Sequence, residues 1–164
     1  MPNHHRAADA PRRADYGVLA KSLQALTDGE TDDVALMATI VCEVHHADDR
    51  FDWTGFYRKV GNDLLKIGPY QGGHGCLDIP FDRGVCGAAA RTGTIQRVDD
   101  VDAFPGHIAC ASSTRSELVI PVWRAGELLG VFDIDSDQPA AFSEADAEAL
   151  DQILRAIFDR APSA

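Results

Sequence analysis

The chain has 164 residues and 17.7 kDa, with 45% apolar and 25% charged residues, so it suits one domain with its own core and is too apolar for global disorder. Lys plus Arg number 15 against 26 for Asp plus Glu, a formal charge of −11, which argues against a nucleic-acid duplex or an anionic membrane surface as partner. No apolar run approaches the roughly 18 residues a membrane span needs, and the positively charged start lacks an apolar stretch, so a cytoplasmic protein without a secretory signal is expected.

Residues 1–13 mix Pro, Arg, His and Ala without periodicity and read as a flexible N-terminal arm, with 14–160 as the folded domain. The adjacent His4 and His5 read as an exposed pair rather than a metal site. Tyr16, Leu19, Ala20, Leu23 and Leu26 recur at helical spacing, and Asp28-Gly29 ends that helix. Thr31-Asp32-Asp33 offers an N-cap for a second helix lined by Val34, Met37, Ile40, Val41 and Val44 and stopping near His45-His46. Phe51 to Val60 alternates as a strand does, and Gly61-Asn62-Asp63 is turn chemistry before Leu64–Ile67. A glycine-rich stretch fills 68–87, with a short helix predicted from Gly84 to Arg91 ending at Gly93, then a strand over Thr94–Val98. Residues 99–116 read as a long loop, of the kind that often serves as a lid or binding loop. Glu117–Trp123 and Leu128–Asp135 form a hairpin. Ser143 and Asp146 resemble a capping box before a stripe of Leu150, Ile153, Leu154, Ile157 and Phe158. This order predicts an α+β domain, a central antiparallel sheet with helices packed mainly on one face.

Chemistry concentrates at the cysteines and at a few acids. Cys42 lies among the apolar residues of the second helix and is expected to be a buried small hydrophobe. Cys76, Cys86 and Cys110 fall in glycine-rich or loop segments, and their spacing matches no zinc ribbon or finger, so no metal is expected. Loop cysteines in a cytosolic chain suit redox or nucleophilic chemistry better than a stable disulfide. Asp133 and Asp135 share one face of a strand, either as costly buried acids with a task or as a strand running out into solvent toward Asp137. Trp53 and Tyr57 share a face with Gly55 between them, which fits a ligand hollow or plain aromatic core. Glu117 stands at a pocket rim or at a solvated strand end.

Six segments then occur in one order: Trp53-Thr54-Gly55-Phe56-Tyr57, Gly68-Pro69-Tyr70-Gln71-Gly72, Arg83-Gly84-Val85-Cys86-Gly87, Gly106-His107-Ile108-Ala109-Cys110, Ser116-Glu117-Leu118-Val119 and Asp133-Ile134-Asp135-Ser136. Together they resemble the free methionine-(R)-sulfoxide reductases, a catalytic branch of the GAF-domain family, over residues 16 to 158. The resemblance implies a single GAF-type domain with Cys110 as nucleophile, Cys76 as main resolving cysteine and Cys86 as a third cysteine able to bond Cys110. It further implies Glu117, Asp133 and Asp135 as substrate-site acids and Trp53 and Tyr57 as the aromatic wall. One departure is Ala111, where the family often has an acid after the nucleophile. Thioredoxin as reductant, no cofactor and a homodimer, with the helix faces at 16–26 and 150–158 available for contact, follow from the same resemblance.

The substrate's ammonium calls for carboxylates, and aromatic faces cover its methyl. Three acids in one pocket cannot all ionise cheaply, so one, Glu117 by preference, is expected to be neutral and to protonate the departing sulfoxide oxygen. The competing expectations are a non-catalytic GAF module binding a small ligand such as a cyclic nucleotide, and a cysteine-based redox sensor.

Overall fold

The structure is a computed structural model that describes residues 10–160. His4 and His5, and most of the arm expected over 1–13, lie outside the described residues. Helix α1 (Tyr16–Leu26) starts on Asp15, whose side chain accepts from the Val18 N–H, and α2 (Asp33–Ala47) starts in the same way on Asp32. Strands β1 (Trp53–Val60), β2 (Leu64–Gln71) and β3 (Asp78–Pro80) follow. Helix α3 (Gly84–Thr92) comes next, then β4 (Gln96–Val98), a 3-10 turn at Val101–Ala103, β5 (Ser116–Arg124), β6 (Glu127–Ser136) and α4 (Glu144–Phe158). The capping box at α4 is present, with Ser143 accepting from the Asp146 N–H and Asp146 accepting from Ser143. Gly93 ends α3 at φ 66°, a left-handed backbone that glycine adopts without a Cβ penalty.

The six strands form one antiparallel sheet in the order β3-β2-β1-β6-β5-β4. Ala125 and Gly126, both at positive φ, close the β5–β6 hairpin with the twist that two-residue hairpins favour. Helices α1, α2 and α4 cover one face, packing Leu23, Ile40, Leu150 and Phe158 against Phe56, Leu118, Ile120 and Phe132. The other face carries only α3 and the loops, with Val85 and Ala89 against Tyr57, Val119 and Val131. No helix among the described residues is long and apolar enough to cross a membrane.

Several local expectations need correction. Cys42 is exposed, not buried: the buried stripe of α2 runs through Leu36, Met37, Ile40, Val41 and Val44, and one residue past Val41 turns the side chain roughly 100° away from the sheet. For the same reason Val34, expected in that stripe, is exposed and Leu36 takes its place. The glycine-rich stretch contains the end of β2 and all of β3, because Ile79 pairs with Leu65 across the sheet edge. Sheet pairing between β4 and β5 begins at Gln96, two residues later than the predicted strand. Residues 53–57 of β1 are all buried, so the alternation there separates two covered faces rather than core from solvent.

Candidate active site

Register assembles the site. Across the β1–β6 pair Trp53 faces Asp135, Gly55 faces Asp133 and Tyr57 faces Val131; across β5–β6 Glu117 faces Asp135 and Val119 faces Asp133. Paired residues on neighbouring strands share a face and alternate residues along a strand do too. Trp53, Tyr57, Glu117, Asp133 and Asp135 therefore project together on the α3 side of the sheet. Helix α3 adds Cys86, and the segment before β3 brings His74 and Gly75. The loop between β4 and β5 brings His107, Ile108 and Cys110, held to the start of α3 by the Gly84 N–H donating to the Gly106 carbonyl at 3.0 Å. These parts line a narrow pocket with about 30 Å³ of free interior.

Cys76 and Cys110 are joined by a disulfide with their Cα atoms 5.3 Å apart, a separation inside the usual range for such bonds. It ties the loop to the segment before β3, beside the pocket that Cys110 lines. Cys86 remains a free, buried thiol on the pocket floor. Its Sγ donates to Glu117 Oε1 at 3.8 Å.

The aromatic wall differs from the hollow that the sequence suggested. A Cβ on Gly55 would lie 2.5 Å from Trp53 Cη2 and 2.6 Å from Tyr70 Cβ, so the space above Gly55 is filled by the Trp53 indole itself. That ring stacks between Tyr57 and Tyr70, with centroids 5.8 and 5.3 Å away, and its N–H donates to the Gly73 carbonyl at 2.9 Å. The indole is a fixed pocket wall, and the ligand space lies beyond it, over the acids.

Glu117, Asp133 and Cys86 are only 6, 4 and 3% exposed, and no Lys or Arg is among the residues lining the pocket. Burial pushes the Glu117 carboxyl well above the usual range, and the nearby Asp133 and Asp135 charges push it further. Burial likewise raises Asp133 to about 7, although hydrogen bonding to Cys86 and Glu117 works the other way. Asp135 is raised by burial and by Asp133 and Asp52, and the Cys86 thiol by burial and the surrounding acids. One oxygen, Asp133 Oδ1, has no hydrogen-bond partner among the described residues.

His107 was not singled out by the sequence, although it stands inside the segment that carries Cys110. Its Nε2 lies 3.7 Å from Glu117 Oε2. Burial holds the imidazole below its ordinary pKa against the pull of Asp102, while the neighbouring Glu117 carboxyl is pushed up, so both shifts favour the uncharged forms. Loop residues such as His107, Ile108 and Thr114 follow no sheet or helix periodicity, and that is why pattern reading passes over them.

The chain matches the GAF domain family over residues 30–157. It is 40% identical over 155 residues to Protein YtsP of Bacillus subtilis, covering 94% of this chain and 95% of that one. It is 37% identical over 139 residues to the free methionine-R-sulfoxide reductase of Escherichia coli, covering 85% of this chain and 84% of that one. Among solved structures, the free methionine-R-sulfoxide reductase from Neisseria meningitidis in complex with its substrate superimposes with a TM-score of 0.82 at 39% identity, covering 87% of this chain and 85% of that one. The pocket, its cysteines and this likeness lead to one conclusion: the chain belongs to the GAF domain family and, within it, groups with the free methionine-R-sulfoxide reductases.

Proposed function

We propose that the protein reduces free L-methionine-(R)-sulfoxide to methionine, with Cys110 as nucleophile, Cys76 as resolving cysteine and a cytoplasmic thioredoxin as reductant. The observation that carries this reading is the Cys76–Cys110 disulfide beside a pocket floored by Glu117, Asp133 and Asp135. With that bond reduced, the Cys110 thiolate attacks the sulfoxide sulfur while neutral Glu117 donates its proton to the sulfoxide oxygen. The resulting hydroxyl passes to the cysteine sulfur, methionine leaves, and Cys110 becomes a sulfenic acid. The Cys76 thiol attacks that sulfur, water departs, and the disulfide is restored; a thioredoxin dithiol reduces it by exchange. Cys86 lies close enough to Glu117 to share its proton and serves as a further redox group of the site.

Substrate recognition follows from the same geometry. Asp133 and Asp135 take the ammonium, and the indole of Trp53 covers the methyl. The first turn of α3 has no side-chain cap, and its residues Gly84, Val85 and Cys86 line the pocket; the Gly84 N–H is taken by Gly106, so the N–H groups of Val85 and Cys86 suit the substrate carboxylate. A pocket that grips both charged termini admits the free amino acid and excludes the same sulfoxide within a peptide. Both epimers of free methionine sulfoxide, and a peptide containing the sulfoxide, are to be assayed with thioredoxin, thioredoxin reductase and NADPH. Turnover of the free R epimer alone, abolished by Cys110→Ser, is expected, whereas Cys76→Ser gives one turnover and stops. No turnover of either epimer by folded, reduced protein overturns the reading in favour of a ligand-binding or redox-sensing GAF module.

A further inference from the structure

We propose that the floor of the pocket is also a zinc site, with Cys86 Sγ, a Glu117 oxygen and an Asp133 oxygen as ligands. The three come from α3, β5 and β6, and their ligand atoms all lie within 4.8 Å of one another. A tetrahedral ion with Zn–S about 2.3 Å and Zn–O about 2.1 Å sets a sulfur–oxygen edge of roughly 3.6 Å. Cys86 Sγ and Glu117 Oε1 stand 3.8 Å apart, which matches that edge with almost no movement. His107, although its Nε2 is 3.7 Å from Glu117 Oε2, stands outside this group, so the fourth position is left to solvent or a small ligand.

A second observation points to a ligand here. Asp133 is 4% exposed, lines the pocket, and has an oxygen with no partner among the described residues. A buried polar atom left unpaired costs free energy, and a cation removes that cost. The thiol decides which cation. Sulfur adds little for an ammonium, Mg²⁺ or Ca²⁺, whereas a thiolate beside two carboxylates selects a borderline ion such as Zn²⁺. Binding displaces the Cys86 proton and any carboxyl proton, so zinc uptake releases protons to solvent. The cysteine-spacing rule misses such a site because it has one sulfur ligand, with the others drawn from separate strands. Zinc bound there takes the place of the substrate ammonium, a consequence that rests on the reductase reading and makes the ion a reversible competitive inhibitor.

The test uses the full chain in its disulfide form with Cys42→Ser, so that Cys86 is its sole free thiol. Titration with Zn²⁺ is expected to load one ion per chain, and X-ray absorption of the loaded protein to show one sulfur at about 2.3 Å with oxygen neighbours. Co²⁺ in the same site is expected to give a thiolate charge-transfer band that Cys86→Ser removes, with zinc affinity falling roughly tenfold or more. A shell of nitrogen and oxygen alone, as a His4–His5 site would give, overturns the proposal, and the wild-type sulfur measurement decides it even where Cys86→Ser folds poorly. Loss of the sulfur signal with turnover of the R epimer intact defeats the zinc site and leaves the reductase standing. A sulfur-ligated zinc in a protein that turns over neither epimer defeats the reductase reading and upholds the metal site.

Discussion

Two buried groups of acids sit on opposite sides of the sheet, and they are treated in opposite ways. On the helical side Arg50 stands between Asp48 and Asp146, with its Nη2 2.7 Å from Asp48 Oδ2 and its Nη1 3.0 Å from Asp146 Oδ2. Tyr16 donates to Asp146 Oδ1 at 2.7 Å, and the Ala14 N–H donates to Asp48 Oδ2 at 3.0 Å. Burial alone would raise Asp146, but hydrogen bonds from Arg50, Ser143 and Tyr16 outweigh it and bring the carboxyl down to about 2. On the pocket side Glu117, Asp133 and Asp135 have no such cation, and all three are pushed up. The first group ties α1, α4 and the connection between α2 and β1 together. The second is left without a cation of its own and holds its protons to higher pH. A carboxylate's role in this fold is thus decided by whether its cation comes from the chain or from a ligand.

The largest effect is expected where the built-in cation is removed. Arg50→Met leaves Asp48 and Asp146 buried without their partner, and a loss of about 3–5 kcal/mol in urea unfolding is expected. Turnover per folded molecule stays as it was, since Arg50 lies on the far side of the sheet from the pocket. A loss below about 1 kcal/mol would mean that the helical-side acids are held by backbone and tyrosine hydrogen bonds alone. The sign of the pH dependence follows from the same group. The Asp146 carboxyl titrates below its unfolded value of 3.8, so its stabilisation is present above pH 4 and is lost as pH falls toward 2.

On the pocket side the same logic gives a kinetic effect. Glu117→Gln keeps the shape and removes the transferable proton, so kcat is expected to fall by about 10²- to 10⁴-fold while the urea midpoint stays level or rises. Steady-state kinetics with the free R epimer, run beside denaturation, checks both halves. Unchanged kcat would move the proton donor elsewhere in the pocket, with Asp133 next in line.

The two groups were unequally legible in the sequence. Ser143 and Asp146 stand three residues apart before an apolar stripe, so the cap was readable; that Asp146 also meets Arg50, 96 residues away, was not. On the pocket side period-2 spacing placed Asp133 with Asp135, and Glu117 stood out at the start of an apolar strand as a rim or solvated acid, but the strand order that makes β6 central decided that they are buried rather than solvated. Cys42 failed because a helix face is narrow, and one residue's rotation separates core from solvent. His107 went unseen because a loop side chain is placed by tertiary contacts, and those leave no repeat in the chain.

Removing one of the uncompensated acids gives no effect at low pH and the clearest sign. An acid that ionises near pH 7 in the folded protein and near 3.8 in the unfolded chain leaves the folded state holding an extra proton between those values, so stability falls as pH rises through that window. Asp133→Asn cannot ionise. It therefore matches wild type below about pH 4, pulls ahead as pH rises, and levels off above 7, with a gain on the order of 4 kcal/mol by pH 8. Urea midpoints at pH 4, 6 and 8 trace the curve. A flat difference would show that Asp133 is ionised throughout and that Glu117 or Asp135 holds the proton instead. The substitution also removes a carboxylate that suits the substrate ammonium, so KM rises under the same conditions that make the variant more stable. Arg50→Met shows no such trade of stability for binding, because its acids are already matched within the chain.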